Sequence, residues 1–458
     1  MKREDAYAAY RDRASWIGAT ERAVQGITGS VFRHEPELRT PAALEPDLAD
    51  ITQTGVSLRM FAEQVVRETL LMGRYGLLVD FPPALATPDG RTLPPPPQSR
   101  PYWVGYQAEE ITNWRTLQRN GDTILSLVVL KECVPEVQGM WGSDDFFKVR
   151  DRVQYRVLRL NEAGEYEVSL WREPGTSPGT QGGGFVPVAG WIPLRQGQPL
   201  DFIPFVFMAP FSLEPAIEKS LLDALVNRNF LCWRHSADYE HALHLTAMPT
   251  FYVAANMEQP PELYVGASTA LFLPDNQAKV GLVEFHGQGL QPHETAIKAD
   301  LEMMAMFGAS ILQGPPAAQE TATSVAWRMS GSDSPVQSLV SVVSQGMTWA
   351  LQVHAWWRGL TESLDDASIG IALNKDLVST IMPPQMLQAL MQALLNGTIS
   401  FETFYFNLQR GEIARPLVDV EEEQMLIEDQ QAQRPLVTLP PGPQAQPPGR
   451  NGTSRQAA

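Results

Sequence analysis

Apolar positions recur along this chain with two alternating periods, and the changes of period mark its elements. From Tyr7 to Ile27, Tyr10, Trp16, Ile17 and Val24 fall among Ala, Arg and Glu, which predicts one helix ended by Gly26 and Gly29. A second helix is expected over Leu58–Met72, with Phe61, Val65, Val66 and Leu70 on one face and Gly73 closing it. Leu77-Leu78-Val79 reads as a short buried strand, and a loop centred on Pro94-Pro95-Pro96-Pro97 follows. The period then falls to two. Ile124 to Leu130 predicts a strand, and Val153, Tyr155 and Val157 pair with Tyr166, Val168 and Leu170 across a turn at Asn161-Glu162-Ala163-Gly164, a β-hairpin. Gly175 to Gly184 reads as a flexible loop.

Long helices dominate the rest. No Gly or Pro interrupts Ala216 to Ala247, and Leu221, Leu222, Leu225, Val226, Phe230 and Trp233 keep a helical spacing, so a helix over 214–247 is expected, about 50 Å long. Pro249 ends it. Short β-like pieces at Phe251-Tyr252-Val253, Leu271-Phe272-Leu273 and Leu282 to Phe285 predict a small β module over 248–289. A second helix is expected over 290–312, then a polar loop over 313–334. Ser334-Pro335 opens a third helix, to about 360, with a heavy apolar face including Leu339, Val343, Met347 and Leu351. Residues 361–428 read as helical and 429–458 as a disordered tail, because the tail's Gln, Pro and Gly bury too little apolar surface to order it. The fold class expected is α+β, predominantly helical, with an α+β region over 1–213.

Composition narrows the functions open to such a chain. Fifty-two acidic against thirty-five basic residues give a net charge of −17 over 458 residues, unlike a protein that grips phosphates by counterion release. Cys133 and Cys232 stand far apart and point to neither a disulfide framework nor a thiolate metal site. No apolar signal core follows the basic start, and the densest apolar run, Phe202 to Phe211, is broken by Pro204 and Pro210, so neither export nor membrane insertion is expected.

Candidate chemistry is sparse. His235, His241 and His244 crowd one helix but lack the His-Glu-x-x-His spacing of a zinc protease, and a polar helix face against a neighbouring subunit is the expectation. Asp144-Asp145, Asp365-Asp366 and Glu421-Glu422-Glu423 have no partner base nearby in sequence and read as solvated surface. Neither a Gly-x-Ser-x-Gly elbow nor a phosphate-cradling Gly-x-x-x-x-Gly-Lys-Ser/Thr loop occurs. No catalytic, cofactor or metal site is therefore expected; the enzyme alternative is a hydrolase with a dispersed active site.

Several stretches, taken together, resemble the portal proteins of tailed bacteriophages, in a branch of uncharacterised portal-like proteins. They are Gly29 to Arg33, Gly73 to Asp80, Arg100-Pro101-Tyr102 leading to Ile111 to Arg115, Ser236 to Tyr239, His244 to Thr250, Glu320 to Thr323 and Asn396 to Ser400. The likeness spans roughly Tyr7 to Glu428. It implies a portal fold: wing (1–213), stem helices (214–247 and 290–312), clip (248–289), tunnel loop (313–334), long tunnel helix (335–360) and helical crown (361–428). It further implies a homo-oligomer, a dodecameric ring at one capsid vertex of the virion, assembled in the host bacterial cytoplasm. Double-stranded DNA would pass through the ring, and the large terminase, head-completion and tail proteins, capsid and scaffold proteins would be its partners. Position alone makes Gln319, Thr321, Thr323, Ser324 and Arg328 the candidate DNA-facing residues. Like charge between wall and phosphate would let DNA slide. The alternative is a head-tail adaptor or other capsid component without a DNA channel.

Overall fold

The computed structural model describes residues 3–82, 85–86, 92–93, 99–137, 147–173, 184–246, 250–254, 279–283, 289–313, 334–377, 384–411, 413–414 and 418–432. Two compact units divide the chain after Leu377.

The first unit opens with helices α1 (Arg3–Arg13) and α2 (Ala19–Val31), strand β1 (Glu37–Arg39), a helical turn at Glu45–Leu48 and helix α3 (Leu58–Met72). Strands β2 (Tyr75–Asp80), β3 (Tyr102–Gln107), β4 (Ile111–Arg119), β5 (Asp122–Val137), β6 (Val149–Leu160), β7 (Tyr166–Arg172), β8 (Val186–Trp191) and β9 (Phe205–Met208) follow. Then come α4 (Asp223–Thr246), β10 (Thr250–Ala254), β11 (Lys279–Val283), α5 (Gln291–Gln313), α6 (Pro335–Trp357) and β12 (Gly370–Ala372). The architecture is α+β, and among the described residues every strand pair is antiparallel.

The core lies between α3, α6 and the three-stranded sheet β9-β2-β3. Every residue of β2 is buried, because helices cover one face and the larger sheet the other. Helix α3 starts where Ser57 accepts a hydrogen bond from the Met60 amide. It stops at Gly73, whose φ of +70° suits glycine and whose Cβ, if present, would lie 2.5 Å from the Glu218 carbonyl. Ser334 and Gln337 form a reciprocal capping box at the start of α6. That helix passes so close to β9 that a Cβ on Gly346 would meet Met208 Cγ at 2.7 Å. The second sheet runs β8-β7-β6-β5-β4, and its β6–β7 hairpin turns at the expected Asn161 to Gly164. There Asn161 accepts from the Ala163 and Glu165 amides.

Four expectations are corrected. The helix over Tyr7–Ile27 is two helices, because Ser15 and Trp16 leave helical geometry to engage α4: the Ser15 carbonyl accepts from Ser236 Oγ at 2.9 Å, and Trp16 packs edge-on against Phe230. The helix expected from Glu214 begins at Asp223 and is about 36 Å long. Upstream, Glu218 accepts from the Phe211 amide and Ser212 Oγ, and Ser220 Oγ donates to the Leu70 carbonyl, local bonds that hold the segment out of a helix. Within 361–428, residues Gly370–Ala372 are a strand paired with β1 and lying on α6. The boundary placed at 429 falls inside a helix that runs to Ala432.

The second unit contains α7 (Pro384–Leu395), α8 (Phe401–Arg410) and α9 (Val420–Ala432). Asn396-Gly397 ends α7 as expected, with Gly397 at φ +67° and the Thr398 amide bonded to the Ala393 carbonyl. Ser400 caps α8 through the Thr403 amide.

Candidate functional site

Helices α4 and α5 pack side by side, and the segment joining them includes the β10–β11 pair, in register from Thr250 opposite Val283 to Ala254 opposite Lys279. Asp300 of α5 pins the pair. Asp300, 2% exposed, forms an ion pair with Arg228 Nε at 3.2 Å and faces His235 Nδ1 at 2.8 Å, two residues seven apart on α4 and so on one face. Further along, Tyr239 donates to Glu294 at 2.9 Å. Tyr10 of α1 donates to Asp238 at 2.7 Å, so the N-terminal helices brace the rod from outside.

Asp300→Asn removes the charge that two cation-bearing side chains converge on. Because Arg228 and His235 retain access to water, the expected loss is about 2–3 kcal/mol. Urea unfolding followed by circular dichroism measures it, and an unchanged midpoint would show that Asp300 does not couple the helices.

The rod is acidic and partly apolar outside. Asp223, Asp238, Glu240, Glu294 and Glu302 stand against Arg234 and Lys298, since Asp300 and Arg228 pair between the helices, while Phe230, Leu245, Leu301 and Met306 remain exposed.

The candidate DNA-facing residues Gln319, Thr321, Thr323, Ser324 and Arg328 lie outside the described residues, as do Asp144-Asp145 and most of the expected β module. Of the three histidines, His235 is committed to Asp300 and His241 packs edge-on against Tyr10. Among the described residues no group of three or more His, Cys, Asp or Glu is arranged to hold a metal. Asp366 serves its own loop, accepting from the Ser368 amide and hydroxyl, and those bonds hold its carboxyl below the usual range.

Two buried polar clusters went unanticipated. Asp47 forms an ion pair with Arg358 Nε at 2.9 Å and lies 3.1 Å from His354 Nε2, with Arg100 at 3.8 Å. A His–Asp pair suggests catalysis, yet His354 is completely enclosed and no substrate could reach it. Arg156 bridges Asp80 at 2.9 Å and Glu132 at 2.7 Å, tying the two sheets together. Residues up to 307 positions apart make these contacts, so no local spacing announces them. Nearby, the Arg74 guanidinium lies over the rings of Trp114 and Phe207 at 3.9 and 4.7 Å, and burial pushes it down to about 10.

A domain of unknown function (DUF4055) matches residues 221–358, the stretch from the start of α4 to the end of α6. No curated protein matches the chain. Among solved structures, a chain in the neck of an empty gene transfer agent particle aligns over 90% of both chains at 13% identity with a TM-score of 0.38. A chain of the native gene transfer agent virion aligns over 92% of this chain and 93% of its own at 14% identity and 0.39. None of the described helices is long and apolar enough to cross a membrane.

Proposed function

We propose that this chain is the portal subunit of a phage-like particle, a non-enzymatic protein whose copies form a ring around a channel for double-stranded DNA. The observation that carries the reading is the α4–α5 rod with its β pair between the helices, followed in sequence by the buried helix α6. One rod leaves Phe230, Leu245, Leu301 and Met306 in water. Rods set side by side around an axis would cover such positions while their acidic faces line a channel. Phosphates meeting that wall would be repelled and not trapped, which favours sliding. In this reading residues 248–289 form the clip that meets the packaging motor and head-completion proteins, 313–334 form the tunnel loop with Gln319, Thr321, Thr323, Ser324 and Arg328 facing DNA, and the C-terminal helices form the crown. The motor hydrolyses the nucleotide; this chain does not.

Negative-stain imaging of the purified full-length chain tests the proposal, with mass photometry for ring size and an ATPase assay alongside. Rings near twelve copies with an open centre and no turnover are expected. A persistent monomer at high concentration, or oligomers without a central hole, would sink the channel.

A further inference from the structure

The five-stranded sheet buries one face only. Trp114, Leu125, Leu160 and Trp191 pack onto the core from it. A bulge between Arg115 and Thr116 switches the side presented by β5, so that Leu125 faces inward while Leu127 and Val129 face out. Register aligns the outer residues: Val129 opposite Val157, Lys131 opposite Tyr155, and Tyr155 opposite Trp171. Ile124, Leu127, Val129, Tyr155, Val157 and Trp171 therefore form an apolar face away from the core, each at intermediate exposure, with Phe185 packed edge-on against Tyr155. Five strands about 4.8 Å apart and about nine residues of strand length enclose about 700 Å². Each partner of a stable complex buries roughly 800 Å² of accessible surface, so this face, whose six apolar residues are each partly covered by their neighbours, is the centre of a larger contact.

The rim of this face identifies what covers it. Arg115 and Lys131 stand beside the apolar rows, and neither pairs with a carboxylate among the described residues; Arg159 is matched by Glu167 at 3.1 Å. The chain as a whole carries −17, so the surface of another copy is acidic on average. Two free cations around an apolar centre suit such a surface and would repel a cationic partner. Nucleic acid is disfavoured, since the centre offers branched aliphatic side chains where a phosphate-tracking surface needs further cations.

We infer that the outer face of the β4–β8 sheet is an interface with a second copy of this chain. The inference deepens the ring reading and rests on it for the second copy. Cys133 supplies a native reporter, because it is exposed and lies on the same face one row beyond Lys131, whereas Cys232 is buried.

The test combines maleimide labelling with mass photometry on the full-length chain across a dilution series. At assembling concentrations Cys133 is expected to label at least tenfold more slowly than in dilute protein. Lys131→Glu, an exposed rim change, and Val157→Glu, at the centre, are each expected to raise the concentration needed for assembly at least tenfold and to restore labelling. Circular dichroism of both variants checks folding, and Lys131→Glu keeps the test open should Val157→Glu not fold. Assemblies in which Cys133 reacts as fast as in dilute protein overturn the inference, even if they are open rings. A pure chain that stays monomeric with reactive Cys133 overturns it too, pointing to a different protein as the cover. Closed dimers with Cys133 protected would uphold it while ending the ring reading.

Discussion

Arg156→Met is expected to cost about 3–5 kcal/mol, enough to remove a large part of the stability of a typical domain. Arg156 satisfies two carboxylates that have left water: Asp80 is 4% exposed and Glu132 lies in the same cluster with bonds from Tyr106 and Gln154. Burial already pushes the Asp80 carboxyl up, and the Arg156 guanidinium is the main influence holding it down. Without that cation the folded protein must either bury unpaired charge or bind protons. The sign follows. Proton uptake by the folded state then exceeds that of the unfolded chain, so the variant's deficit relative to the parent shrinks as pH falls toward the carboxylate range and is largest at neutral pH. Urea unfolding at pH 7 and pH 5 measures both, and a deficit independent of pH would mean that lost packing, not charge, is responsible.

The second large effect belongs to Asp47. Asp47→Ala strands His354 in a site with no exposure and removes the shared ion-pair partner of Arg358 and Arg100, so a loss of about 3 kcal/mol or more is expected in the same assay. The parent protein has its own pH signature. Burial lowers the His354 imidazole below its ordinary 6.5, outweighing the opposing hydrogen bond and charge of Asp47. A depressed folded value means that the unfolded chain binds the proton more readily. The contribution is therefore complete above about pH 6.5 and is lost as pH falls through the folded value. Burial pushes Asp47 up, but the bond from His354 and the charges of His354, Arg358 and Arg100 hold it below 3.8 overall, so its share persists until lower pH. Stability should decline just below pH 6.5, and His354→Gln should flatten that decline. A His354→Gln profile superimposable on the parent's in slope would remove His354 as its cause.

Both clusters bear on the proposed ring. Asp47 holds the end of α6 to the Glu45–Leu48 turn, and Arg156 joins the core sheet to the sheet whose outer face is assigned to a second copy. Loss of either should weaken assembly through the fold itself. Lys131→Glu, by contrast, should weaken assembly while leaving the unfolding midpoint in place, which separates a contact between copies from a defect within one.

The elements legible in the sequence are those whose causes are local. Gly73 closes α3, Ser334-Pro335 opens α6, Asn161 to Gly164 turns the β6–β7 hairpin, and Asn396-Gly397 stops α7; each signal acts within a few residues through a cap, a turn or a positive φ. Periodicity also identified α4 and α5 as long helices with β structure between them. Tertiary structure decided where distant groups compete with those local preferences. Ser220 and Glu218 bond to Leu70, Phe211 and Ser212 and so delay α4 by nine residues relative to Glu214, and Ser15 and Trp16 break the first helix to meet Ser236 and Phe230. Strand β12 forms because β1, more than three hundred residues earlier, offers it an edge. Asp47 with His354, Asp80 with Arg156 and Asp300 with His235 are beyond any reading by spacing. Desolvation selects such partners only once the chain has folded, and a charge buried early in the sequence can be satisfied by whatever residue the topology brings beside it.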